Sequence, residues 1–141
     1  PLRMRDIWNV VPYENRVAVM MVRPDQLEEM LNENAQRRGG IQFMGAWGVR
    51  YAWGTDDAGR PVVRDVRLAD GTNPHPRRRI RVAVNSYVVA SGGQRFPRVR
   101  ALAEEPETRL QMLDIDTRSA VLAYVKKHSP LSVRALQAES P

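Results

Sequence analysis

Residues 16–22 read Arg-Val-Ala-Val-Met-Met-Val and run straight into Arg23-Pro24-Asp25. The run is short, β-branched and apolar at nearly every position, which is the pattern of a buried strand. Pro24 falls in the first turn of the next element, where a helix tolerates a missing N–H. Leu27, Met30 and Leu31 follow at helical spacing, and Gly39-Gly40 closes a helix predicted over 24–38. A buried strand joined directly to an apolar-striped helix points to an α+β domain, with helices packed on a mixed β-sheet.

The rest of the chain extends this pattern. Residues 3–9 predict a short helix with Met4, Ile7 and Trp8 on one face, ended by Pro12. Strands are predicted over 41–44 and 47–54. In the second, Trp47, Val49, Tyr51 and Trp53 alternate, so one face is expected to be buried. Thr55-Asp56-Asp57-Ala58-Gly59 is a hairpin turn, and 61–68 is the returning strand. A turn over 70–74 leads to the longest strand candidate, 79–90, which Gly92-Gly93 ends sharply. A short strand over 110–113 precedes a last helix, 116–127. That helix has Asp116 as N-cap, Val121, Leu122 and Val125 as its core stripe, and Ser129-Pro130 as its stop.

A chain of 141 residues is expected to form a single domain, 1–141, with a core that needs no staples. The absence of cysteine excludes disulfides and thiolate metal sites. No apolar run approaches the roughly 18 residues of a membrane-spanning helix. The chain starts at Pro1, with neither an initiator Met nor a signal peptide, and reads as a piece of a longer protein. The net charge of +6 attracts anions in general. Arg77-Arg78-Arg79, Arg81, Arg95, Arg98 and Arg100 account for much of it. The run at 77–79 lies beside a turn and reads as a solvated loop.

Catalytic chemistry is thin. His75 and His128 lie far apart, without an acid at metal-ligand spacing. Asp114 and Asp116 flank Ile115, but a carboxylate just before a helix is ordinarily a cap or a dipole partner. Nucleophile-elbow, P-loop and zinc-helix motifs are missing. Gly92-Gly93 alone is a weak phosphate-loop signal. The residues present no catalytic set and no metal site.

Two segments each break at Pro or Gly-Gly and present aromatic rings: Val11-Pro12-Tyr13, and Asn85-Ser86-Tyr87 followed by Gly92-Gly93-Gln94-Arg95-Phe96. On the residues alone, Tyr13 serves equally as a helix-end aromatic, Phe96 as packing after a turn, and Asn85 as a polar strand end. Taken in order, with strand 16–22, helix 24–38 and a last helix followed by Ser129-Pro130-Leu131, the set resembles the C-terminal domain of the 5′-nucleotidase family of metallophosphatases. The likeness extends over almost the whole chain.

That resemblance implies a domain that binds and positions a nucleotide or nucleoside and does no chemistry alone. Tyr13 and Phe96 would sandwich the base, with Asn85, Gly92, Gly93 and Arg95 around them. It implies an N-terminal metallophosphatase domain in the same chain, holding divalent metal ions, while this segment holds no cofactor. It also implies a periplasmic, cell-surface or secreted parent, and no nucleic acid as partner. Where the family has Asp-Gly, this chain has Gln94-Arg95, which removes a residue that tolerates positive φ and adds a cation beside the slot. Two alternatives stay open: a basic module that binds nucleic acid or protein, and a phosphatase domain for cyclic nucleotides, nucleotide-sugars or other esters.

Overall fold

The computed structural model describes residues 3–131. β1 (Arg16–Val22) is the middle strand of a three-stranded sheet ordered β4–β1–β5, where β4 is Ile80–Asn85 and β5 is Gln111–Asp116. Both neighbours run antiparallel to it. Val17 opposes Asn85 and Val22 opposes Ile80 on one side, and Ala18 opposes Met112 on the other. Ala18, Met20 and Val22 are fully buried, as an apolar central strand demands. A second sheet is the hairpin of β2 (Val49–Thr55) and β3 (Pro61–Leu68). Its turn is tied by the Asp56 carboxylate, which accepts from the backbone N–H groups of Ala58 and Arg60. The architecture is α+β, with its described strands in two antiparallel sheets.

α2 (Pro24–Ala35) starts one residue after β1. Gln26 in its first turn is fully buried yet satisfied. Its Oε1 accepts from the Arg23 N–H at 2.9 Å and its Nε2 donates to Glu105 at 2.8 Å. Leu27, Met30 and Leu31 pack into one core with Val63 of β3 and with Val99 and Leu102 of α4 (Pro97–Glu104). Leu102 has no exposed surface, and such a leucine contributes roughly 2–5 kcal/mol relative to alanine.

The structure departs from the sequence expectation in five places. Of the alternating face, Val49 is buried and Tyr51 half-buried, but Trp47 is exposed ahead of β2, and Trp53 is exposed where it meets Phe43, Tyr51 and the Arg38 guanidinium. Residues 41–44 form no strand. The segment is held instead by Asn34 of α2, whose Nδ2 donates to the Met44 carbonyl at 2.7 Å while its Oδ1 accepts from the Met44 N–H at 3.1 Å. One side chain replaces a ladder partner. The long strand ends early, at Asn85, because the Asn85 Oδ1 accepts from the Val88 N–H at 2.9 Å and caps a short helix, α3 (Ser86–Val89). α4 has no counterpart in the sequence expectation. Its first turn is capped from another helix, with the N–H groups of Arg98 and Val99 donating to the two oxygens of Glu33 at 2.8 and 3.0 Å. Finally, α5 (Thr117–Lys127) has Asp116 as its N-cap, as expected, but Val121 is exposed and Leu122 and Val125 are only half-buried. Among the described residues, α1 (Met4–Val10) and β5 are its main neighbours, and they cover little of that stripe.

Candidate functional site

β1 begins where β4 ends, so two loop segments leave the sheet at the same end. Val17 opposes Asn85, and the Arg16 N–H donates to Ser86 Oγ at 3.0 Å. Tyr13 lies just before this junction on one segment and Tyr87 just after it on the other. Both rings face solvent, with Tyr13 73% and Tyr87 42% exposed.

The Tyr13 segment is clamped by Arg118 of α5. Its Nε donates to the Val11 carbonyl at 3.0 Å, its Nη2 to the Pro12 carbonyl at 2.8 Å, and its Nη1 to the Glu14 carboxylate at 2.8 Å. The guanidinium lies 3.8 Å from the centroid of the Trp8 ring, and its side chain is only 9% exposed. A planar fork with several donors suits this task, which a lysine could not perform. Sequence reasoning missed Arg118; its partners are about a hundred positions away, and no local pattern marks it.

The second segment is folded around left-handed residues. Ser91, Gly92, Gly93 and Gln94 all have positive φ, between 53° and 73°. Ser91 Oγ accepts from the Gln94 N–H at 2.8 Å, and the Gly92 N–H donates to the Tyr87 carbonyl at 2.7 Å. The positive φ falls on Gln94 and not on Arg95, so arginine at the family's glycine position meets no left-handed backbone. Arg95 turns back over the loop. Its Nη1 donates to the Gly92 carbonyl at 3.1 Å and to the Tyr87 hydroxyl. The Tyr87 hydroxyl itself donates to the Gly92 carbonyl at 3.0 Å.

The predicted residues therefore divide. Gly92, Gly93, Arg95 and Phe96 share one loop with Tyr87, Asn85 caps the helix that opens it, and Tyr13 lies on the segment that leads into β1 at the same end of the sheet. Phe96 is only 3% exposed and belongs to the core with Val88 and Val99. The Arg37 guanidinium lies 4.3 Å from its ring centroid. Phe96 also lines an apolar cavity of about 570 Å³ between α2, residues 44–49 and β4. The solvent-facing ring of this segment is Tyr87, which the sequence pattern marks but does not assign to the slot.

Among the described residues no group of three or more His, Cys, Asp or Glu side chains is placed to hold a metal ion. His75 Nδ1 accepts from the Arg77 N–H, and Asp114 is paired with Arg16 at 2.7 Å.

The profile of the family described as "5′-nucleotidase, C-terminal domain" matches residues 1–101. The chain belongs to the 5′-nucleotidase C-terminal domain family. It is similar to Endonuclease YhcR of Bacillus subtilis (strain 168), with 25% identity over 126 residues, covering 89% of this chain and 10% of that protein. Two solved structures share the fold of this 5′-nucleotidase C-terminal domain, each with a TM-score of 0.73 over 90% of the chain. One is NAD nucleotidase (NadN) of Haemophilus influenzae, at 18% identity and 24% of that chain. The other is a 5′-nucleotidase precursor from Thermus thermophilus, at 22% identity and 25% of that chain. The chain thus spans a quarter or less of the length of these relatives.

Proposed function

We propose that this chain is the nucleotide-recognition domain of a 5′-nucleotidase-type metallophosphatase. It binds and orients a nucleotide or nucleoside, and an N-terminal domain of the same polypeptide hydrolyses the phosphate ester. Divalent metal ions bound in that domain would supply an activated water and neutralise phosphate charge, while this domain would supply position. The observation that carries the reading is the pair of exposed rings, Tyr13 and Tyr87, at one end of the sheet, with Arg95 bonded to the Tyr87 hydroxyl. A base stacked on such rings gains roughly 1–3 kcal/mol per contact. A guanidinium beside a ring donates to a phosphate or lies over a base. In this reading Phe96 shapes the loop from beneath, and Asn85, Gly92 and Gly93 fix its backbone.

The relatives' names support a nucleotide substrate, and the word "precursor" for one of them supports a periplasmic, cell-surface or secreted parent. The endonuclease among them favours a phosphodiester as the second reading of the substrate.

Calorimetric titration with adenosine, AMP and ribose 5-phosphate tests the proposal. Adenosine and AMP bind, ribose 5-phosphate does not, and Arg95→Gln weakens AMP more than adenosine. Ribose 5-phosphate binding as tightly as AMP would overturn the base-stacking reading.

A further inference from the structure

The outward face of the β2–β3 hairpin collects three arginines that are scattered in the sequence. Arg50 and Arg67 are direct cross-strand partners, Ala52 opposes Arg64, and Gly54 opposes Val62. Opposed residues share a face, and alternate positions along a strand return to it. Arg50, Arg64 and Arg67 therefore lie on one side, and all three are exposed. The other side carries Val49 and Val63, both buried.

A backbone irregularity makes this alignment. β3 moves from 67 to 64 while β2 moves from 50 to 52, and Asp65 within the extra step has φ 52°. In a regular strand, positions 64 and 67 would point to opposite faces. Arg64 then lies across Gly54, where an added Cβ would fall 2.5 Å from its Nε, and its Nη2 donates to the Thr55 carbonyl at 2.9 Å.

Like charges directly opposed in a ladder destabilise it. Among the described residues no carboxylate pairs with Arg50, Arg64 or Arg67. Arginines that are dense in the sequence behave differently: Arg79 pairs with Glu107, Arg98 with Glu29 and Arg100 with Glu104.

We propose that the Arg50–Arg64–Arg67 face is a docking surface for a polynucleotide backbone, whose phosphates neutralise the opposed guanidiniums. A lipid surface would call for exposed apolar side chains beside the cations. A protein partner would call for anchors seated in well-packed, desolvated pockets, with aromatic side chains among the arginines. Between its guanidiniums this face offers only Ala52, Gly54 and Val62. Phosphate contacts need no anchor, since counterion release supplies the affinity without reading sequence. The surface shares no residue with the Tyr13 and Tyr87 site, so either proposal can fail without the other.

Fluorescence anisotropy of a labelled mixed-sequence oligonucleotide, single-stranded and as duplex, tests the proposal across salt concentrations. Three contacts predict that affinity falls roughly twentyfold or more between about 50 and 200 mM salt. Arg50→Gln with Arg67→Gln lowers affinity and flattens the log–log salt slope by about two. This double variant melts at or above the wild-type temperature, because the opposed charges are gone. Arg77→Gln with Arg78→Gln, an equal change in net charge, leaves affinity nearly intact. Equal losses in both double variants would overturn the proposal. So would salt-independent affinity, no binding at low salt, or binding confined to phosphatidylserine vesicles.

Discussion

A Cβ on Gly92 would lie 2.9 Å from Cε1 of Tyr87, and the same atom would be 2.8 Å from Cδ2 of Phe96. The glycine backbone thus packs directly against the exposed ring and the buried one, and it holds them in a fixed relation. Its φ of 53° adds a second demand that alanine meets poorly. Gly92→Ala is expected to cost roughly 2–4 kcal/mol, from crowding and backbone strain together. Gly93 also has positive φ, but its nearest neighbour would be 3.9 Å from an added Cβ. Gly93→Ala is expected to cost about 1–2 kcal/mol, the strain of left-handed backbone alone. Urea unfolding of the two variants checks the order; equal losses would show that strain alone, and not contact with the rings, sets the requirement.

Arg118 joins α5 to the Tyr13 segment through two backbone carbonyls and one carboxylate. Arg118→Ala leaves the Val11 and Pro12 carbonyls without this donor, at a cost of roughly 1–3 kcal/mol. Arg118→Lys keeps the charge but not the fork, and is expected to recover less than half of the loss. Chemical denaturation measures both. Recovery of full stability by lysine would show that charge alone suffices.

Acid sensitivity follows from the depressed carboxylates. The Asp116 carboxyl is held below the usual range by its hydrogen bonds from the Ser119 hydroxyl and then the Ser119 N–H. A group depressed on folding contributes stability above its unfolded pKa and loses it as pH falls through the folded value. Asp25, Asp56, Asp70 and Glu107 are shifted the same way. The melting temperature is therefore expected to hold near neutrality and to fall below about pH 4. Asp116→Asn keeps an N-cap acceptor and should remove its share of that fall, whereas Asp116→Ala should lower stability at neutral pH as well. Thermal melts between about pH 3 and 7 distinguish them; an unchanged acid limb in Asp116→Asn would contradict the assignment.

What was legible in the sequence was local. β1 and β3 match the predicted 16–22 and 61–68, because apolar patterning and turn residues mark their ends. The Asp116 cap and Pro24 placed α5 and α2 for the same reason. What escaped depends on distant partners. Asn34 replaces a strand at Met44, Glu33 caps α4 from another helix, and Arg118 pins Pro12. The choice between Phe96 and Tyr87 as the open ring is of this kind too. Both follow turn or cap signals, and only the packing of Phe96 beside Val88 and Val99 separates them. The arginine face of the hairpin was hidden by the β3 irregularity, since regular alternation separates 64 from 67.

Nucleoside binding at Tyr13 and Tyr87 is tested most directly by a double-mutant cycle on adenosine affinity, measured by calorimetry with Tyr13→Ala, Tyr87→Ala and the double variant. Two rings that grip one base predict that each single variant loses about five- to 150-fold in affinity, equivalent to ~1–3 kcal/mol. They also predict that the double variant loses less than the product of the two, because a base stripped of one ring no longer uses the other fully. Adenosine bound by the double variant as tightly as by wild type would contradict the site.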